Sequence, residues 1–131
     1  EGRSKLNIII SNTADVPIYQ QIVGQIRDAI LRGELVEGEL LPSIRALAKD
    51  LRISVITTKR AYDDLEQEGY IETVSGKGSY VAERNAELLQ ESRRAIVEGK
   101  LDDAVRTAKS LGIDKADVFQ IIDLLYEEDD A

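Results

Sequence analysis

Residues 54–69 read "SVITTKRAYDDLEQEG", small, hydroxylated and basic in the first half and acidic in the second. Stepping 100° per residue from Ser54, Thr58, Ala61, Tyr62 and Leu65 converge on one stripe, which predicts a helix with that stripe turned inward. Ser54 suits the N-cap, because its hydroxyl can accept from an orphan amide of the first turn. The opposite side holds Ile56, Lys59, Arg60, Asp63 and Gln67, with Val55 and Thr57 on the flanks near the start. The outward surface is thus split along the axis. Its first two turns offer no carboxylate, although the helix dipole would favour acids there. A helix that enters the major groove of DNA does so by its N-terminal end. Carboxylates at that end would be repelled by phosphate, whereas hydroxyls and backbone N–H groups can bond phosphate oxygens. The acidic second half fits such a role only if it tilts away from the duplex.

The flanking segments support that reading. Upstream, Pro17 suits the first turn of a helix, with Asp15 or Thr13 near its free amides. Ile18, Ile22, Ile26, Ala29 and Ile30 follow at three- and four-residue steps, and Gly33 is a natural stop. After the connector "GELVEGELLP", Ser43 caps a short helix, "IRALAKDLR", whose Ile44, Leu47, Ala48 and Leu51 face inward while Arg45 faces out. Downstream, the period changes from helical to alternating. "YIETV" and "SYVA" flank "SGKG", which reads as a hairpin, and Tyr70 and Tyr80 read as its packing. Three short helices followed by a two-stranded hairpin is the order of a winged helix-turn-helix.

The expected organisation is therefore mainly α with a small β-hairpin wing. Residues 1–15 form an N-terminal strand or arm, with "NIII" (7–10) strand-like. Residues 16–82 form the winged domain, and 83–131 a short all-helical C-terminal segment. In that segment one helix is expected over 86–98, a second over "GKLDDAVRTAKSLG" (99–112), and a third capped by Asp114. The opening "EGRSKLN", without a Met, reads as a partial tag remnant.

The 131 residues are 43% hydrophobic and 32% charged, as in globular proteins, and carry a formal net charge of −8. That charge is uneven. Residues 16–82 hold 8 Lys and Arg against 10 Asp and Glu, a net of −2, whereas residues 83–131 hold 7 against 13, a net of −6. A local basic face in the middle is compatible with the overall sign. There is no cysteine and no histidine, so thiolate sites and the commonest general base and metal ligand are absent. The carboxylate pairs Asp63–Asp64 and Asp102–Asp103 are sequence neighbours, which a helix points about 100° apart rather than together. No enzyme, cofactor or metal is expected. No apolar run approaches the ~18 residues of a membrane helix, so no membrane partner is expected and cytoplasmic residence is.

The cation of Gly76-Lys77-Gly78, at the hairpin tip, can enter a minor groove or lie along phosphates. The run "LPSIRALAKDLRIS" followed by "TTKRAYDDLEQEGYIETVSGKGSYV" resembles the winged-helix domain of GntR-type bacterial transcriptional regulators. "AYDDLEQEGYI" and the short helical tail resemble the YtrA-type subfamily, in which the small tail serves dimerisation. The resemblance implies DNA contacts from Ser43 and Arg45, from the recognition-helix start (Ser54, Val55, Ile56, Thr57, Lys59 and Arg60), and from Lys77 and Gly78. Three positions depart from the family pattern. Arg52 stands where many members have glycine, and Ile44 where an acid is common. Val55 stands where many have arginine, a guanine reader, which shifts base readout toward thymine-methyl contacts or groove shape.

These readings converge on a sequence-specific regulator, a repressor, that binds a pseudo-palindromic double-stranded operator as a homodimer. The apolar stripes of the tail, Leu89, Ile96, Val118, Ile121, Ile122 and Leu125, would form the two-fold interface. A different class, the winged helix as a protein-interaction module without DNA binding, fits the acidic overall charge. Residues 83–131 show no pattern of a ligand pocket, and a small-molecule effector is not specified.

Overall fold

The computed structural model describes residues 6–13 and 15–130, and the expected tag remnant falls mostly on residues 1–5, outside them. The chain divides into two compact units, one reaching to Leu89 and one from Gln90 onward.

In the first unit, α1 (Ile18–Leu31) buries Ile22, Val23, Ile26, Ala29, Ile30 and Leu31. Pro17 itself stands at the N-cap, and no side chain caps the helix, so the expected bond from Asp15 or Thr13 does not form. The Pro17 carbonyl instead accepts from the amides of Gln20 and Gln21. α2 (Ile44–Leu51) begins as expected at Ser43, whose Oγ accepts from the Ala46 amide at 3.0 Å. α3 (Val55–Gln67) buries Thr58, Ala61, Tyr62 and Leu65, the four residues of its apolar stripe. It packs against both α1 and α2, and the core centres on Ile22, Ile26, Thr58 and Leu65.

The hairpin joins β1 (Ile71–Val74) to β2 (Gly78–Val81), antiparallel, with Ile71 opposite Val81 and Val74 opposite Gly78. The connector before α2 lies alongside this hairpin. Gly38 N–H donates to the Val81 carbonyl at 2.8 Å, Val81 N–H to Glu39 at 2.9 Å, and Leu41 N–H to Ser79 at 2.9 Å. Residues 38–41 thus satisfy the outer edge of β2, which a turn-rich connector with two glycines gave little reason to expect.

"NIII" is not a strand. A β-strand needs a neighbouring ladder, and here two glutamine amides supply the bonds instead. Gln25 accepts from Ile9 N–H at 2.9 Å through Oε1 and donates to its carbonyl at 2.7 Å through Nε2. Gln21 does the same for Ser11, at 2.9 Å in both directions, and also reaches the Val16 carbonyl.

The second correction concerns the tail. α4 (Ala86–Leu111) is one helix of 26 residues that runs through Gly99 without a break, where two helices were expected. A single interior glycine costs about 1 kcal/mol, too little to interrupt so long a run of helix-forming residues. Asn85 caps it, its Oδ1 accepting from Leu88 N–H at 2.8 Å, and Asp102 pairs with Arg106 at 2.9 Å mid-helix rather than starting a new one. α5 (Lys115–Asp130) starts as expected at Asp114, which accepts from Asp117 N–H at 3.0 Å.

Helices α1 to α4 all end in the same hydrogen-bond pattern, in which an amide two or three residues past the helix reaches back five residues to a carbonyl of its last turn. The bonds are Glu34 to Ala29, Ile53 to Ala48, Tyr70 to Leu65 and Ile113 to Ala108. The residue before each of these donors adopts positive φ. In three cases it is Gly33, Gly69 or Gly112; after α2 it is Arg52, at φ 57°, the one non-glycine residue with positive φ among the described residues.

Candidate nucleic-acid interface

α2 and α3 are fastened to each other where the site begins. The buried Tyr62 hydroxyl donates to the Pro42 carbonyl at 2.6 Å, fixing the residue before the Ser43 cap. Burial, with the loss of water around a phenolate, pushes the Tyr62 pKa well above its ordinary value. Thr58, fully buried, donates to the Ser54 carbonyl at 3.1 Å and anchors the first turn of α3. Between these two points Ser43 is held by its own cap bond. Arg45 is exposed on the first turn of α2, and its side chain has no hydrogen bond or ion pair among the described residues.

The start of α3 is more self-contained than its sequence suggested. Ser54 Oγ accepts from Thr57 N–H at 3.0 Å and donates to Thr57 Oγ1 at 2.8 Å. Lys59 Nζ pairs with Asp63 at 2.9 Å, an exposed i,i+4 contact worth a few tenths of a kcal/mol, which a phosphate could displace. Arg60 is turned back onto α1. Its guanidinium stacks over the Tyr19 ring at 3.8 Å and donates to the Tyr19 hydroxyl at 3.0 Å. Val55 and Ile56 stand out, 44% and 81% exposed. No acid lies in the first turn of α2 or of α3.

At the hairpin tip Lys77 is exposed on a tight turn closed by its N–H to the Val74 carbonyl at 2.9 Å. Gly78 has a packing reason for its identity: φ is 122°, and a Cβ there would meet the Leu40 side chain at 3.2 Å. Tyr70 is buried beneath the Arg84 guanidinium at 4.3 Å, and Tyr80 pairs with Glu72 and bridges to Leu40. All ten sequence-derived candidates, Ser43 to Gly78, belong to the first compact unit.

One residue near this surface escaped the sequence reading, and a second was read only in part. Tyr19 lies off the apolar stripe of α1, and no local pattern announces that it receives Arg60 from 41 positions away. Arg52 is exposed and free of side-chain partners among the described residues, two positions before the Ser54 cap. Its replacement of a family glycine was legible; its left-handed backbone was not.

The second unit differs. Leu101, Val105, Ala108 and Ile113 face Val118, Phe119 and Ile122 across an apolar groove of about 390 Å³, with Lys109 and Lys115 at its edge. Such a groove was not expected from residues 83–131. Of the expected dimerisation residues, Val118 and Ile122 line it, Ile96 is half-buried on α4, and Ile121 and Leu125 are 49% and 57% exposed on α5. Leu89, half-buried, closes the first unit. No helix among the described residues is long and apolar enough to cross a membrane.

Residues 18–81 match the family described as bacterial regulatory proteins, gntR family. Over 107 residues the chain is 34% identical to the HTH-type transcriptional repressor YtrA of Bacillus subtilis, covering 82% of each sequence. A solved GntR family transcriptional regulator from Listeria monocytogenes superposes with a TM-score of 0.75 at 31% identity, over 83% of this chain and 95% of that one. The DNA-binding domain of AraR in complex with operator ORR3 superposes with a TM-score of 0.50 at 26% identity, over 56% of this chain and 89% of that one.

Proposed function

The chain belongs to the GntR family, to its YtrA-type branch, and from that premise we propose that it is a repressor that binds a pseudo-palindromic DNA operator as a homodimer. The observation that carries the proposal is the start of α3, capped by Ser54, free of acids, and flanked in the same unit by the unpaired cations Arg45 and Lys77. Ser43, Ser54 and Thr57, with the amides of two helix N-termini, would hold phosphates. Arg45 and Lys77 would do so by charge. Lys59 would join by exchanging Asp63 for phosphate, and Gly78 by letting the wing backbone approach. Arg60 would act indirectly, keeping α3 seated on α1 through Tyr19.

The second unit would supply the two-fold contact. Its exposed Ile121 and Leu125, with the groove lined by Val118 and Ile122, are apolar surface that a second copy would cover. No enzymatic step and no cofactor is assigned, and a DNA-bound regulator would reside in the cytoplasm. The similarity to the repressor YtrA and to the operator-bound AraR domain favours DNA over a protein-only adaptor.

Selection of bound duplexes from a random pool, followed by footprinting, tests this. A palindromic consensus whose protected half-sites lie about one helical turn apart is expected. An unstructured pool after repeated rounds, or protection of a single half-site, would overturn it.

A further inference from the structure

Resting on the DNA-binding reading, we infer that α3 reads the C5-methyl groups of pyrimidines in the major groove, through Val55 and Ile56. The inference comes from which side chains the first two turns leave available. Ser54 spends its hydroxyl on Thr57, as acceptor for the amide and donor to Oγ1. Thr57, half-buried, keeps one hydroxyl proton, which suits a phosphate oxygen. Thr58 is buried and bonded to the Ser54 carbonyl. Lys59 is paired with Asp63, and Arg60 is stacked on Tyr19 and bonded to it. Each polar side chain that could form a bidentate pair with a base edge would first have to leave a partner inside the protein.

Val55 and Ile56 need leave nothing. Ile56 is the most exposed large apolar residue of the described chain, at 81%, and it stands with Val55 at the end of α3 that meets the groove. Exposed aliphatic side chains gain by losing water, and the apolar feature of the major-groove floor is the thymine methyl group. The absence of acids from this turn of α3, and the capping amides beside it, allow the approach to phosphate that such contact requires. The occupant of this apolar patch is therefore duplex DNA, and the atom read is a carbon. The same methyl group is present on 5-methylcytosine, so that base should be accepted where cytosine is not.

The test uses the full chain and its selected operator. Each thymine is replaced singly by uracil, which keeps every hydrogen-bonding group and loses the methyl. Affinity should fall about fourfold at one or two positions in each half-site, the factor that burying one methyl group corresponds to. At those positions a 5-methylcytosine·guanine pair should bind more tightly than a cytosine·guanine pair. In the Ile56→Ala and Val55→Ala variants, both at exposed sites, the uracil penalty should vanish at the position each one reads. Equal binding by every uracil-substituted duplex would overturn the inference while leaving DNA binding intact. A uracil penalty that persists unchanged in both variants would also overturn it, by assigning the methyl contact to other residues. Failure to bind any duplex would instead sink the functional proposal on which it rests.

Discussion

The two compact units treat apolar residues in opposite ways. Through Leu89, the chain closes a core of large side chains: Ile22, Ile26 and Leu65 are inaccessible, and Tyr62, Ile71 and Val81 nearly so. From Gln90 onward the only buried apolar residue among the described residues is Ala108, while Phe119, Leu124, Leu125 and Tyr126 are each more than half exposed. The first closes a core of its own and offers polar, acid-free helix starts and free cations. The second leaves an apolar groove, which the proposed dimer would cover with a second copy.

The sharpest way to break this contrast is a core truncation. Leu65→Ala should cost about 2–5 kcal/mol in denaturant unfolding, since a fully buried leucine loses both its transfer energy and its packing. Ala substitutions at Leu125 or Ile121 should cost far less in the isolated fold and act on assembly instead. Leu125→Asp with Ile121→Asp should weaken self-association by at least tenfold in sedimentation, about 1.4 kcal/mol or more, with helicity retained. Were those two substitutions to unfold the chain without first dissociating it, the second unit would be an ordinary core after all.

Smaller changes probe how the first unit holds the elements of its candidate site. Tyr62→Phe removes the bond to the Pro42 carbonyl and should cost about 1 kcal/mol. The raised Tyr62 pKa also has a sign. The unfolded phenol ionises near 10.0 while the folded one stays protonated, so stability should be flat below that pH and fall above it. Tyr62→Phe should flatten that fall in a pH series of thermal melts. Last and smallest, Arg52→Gly relieves the left-handed strain at the end of α2. It should raise stability by roughly 0.5 kcal/mol, because the gain is partly offset by the extra freedom of glycine in the unfolded chain. A loss of stability would mean that the Arg52 charge at the helix C-terminus outweighs the strain.

Much of the first unit was legible because its signals are local. The stripe of Thr58, Ala61, Tyr62 and Leu65 needed only a period of 3.6, and the Ser43 and Ser54 caps only the residue type before an apolar run. What escaped involves partners distant in sequence. The bonds of Gln21 and Gln25 to the arm, residues 38–41 along β2, and Arg60 on Tyr19 each join segments 10 to 43 positions apart. Gly99 misled for a different reason: a glycine marks a stop only where the chain has somewhere else to go, and here the helix continues on both sides. In the candidate site, the residue types were readable and their availability was not. Lys59 and Arg60 looked as free as Arg45, and the structure distinguishes them by what already holds them.

The most direct measurement is a salt titration of affinity for the selected operator, run in parallel on the wild type and Arg45→Ala. The account predicts that log K falls linearly and steeply with log salt in the wild type. In the variant the slope should be shallower by about one unit and the affinity lower by about 1–3 kcal/mol, with an unchanged melting temperature. Salt-insensitive binding, or identical titrations for the two proteins, would contradict it.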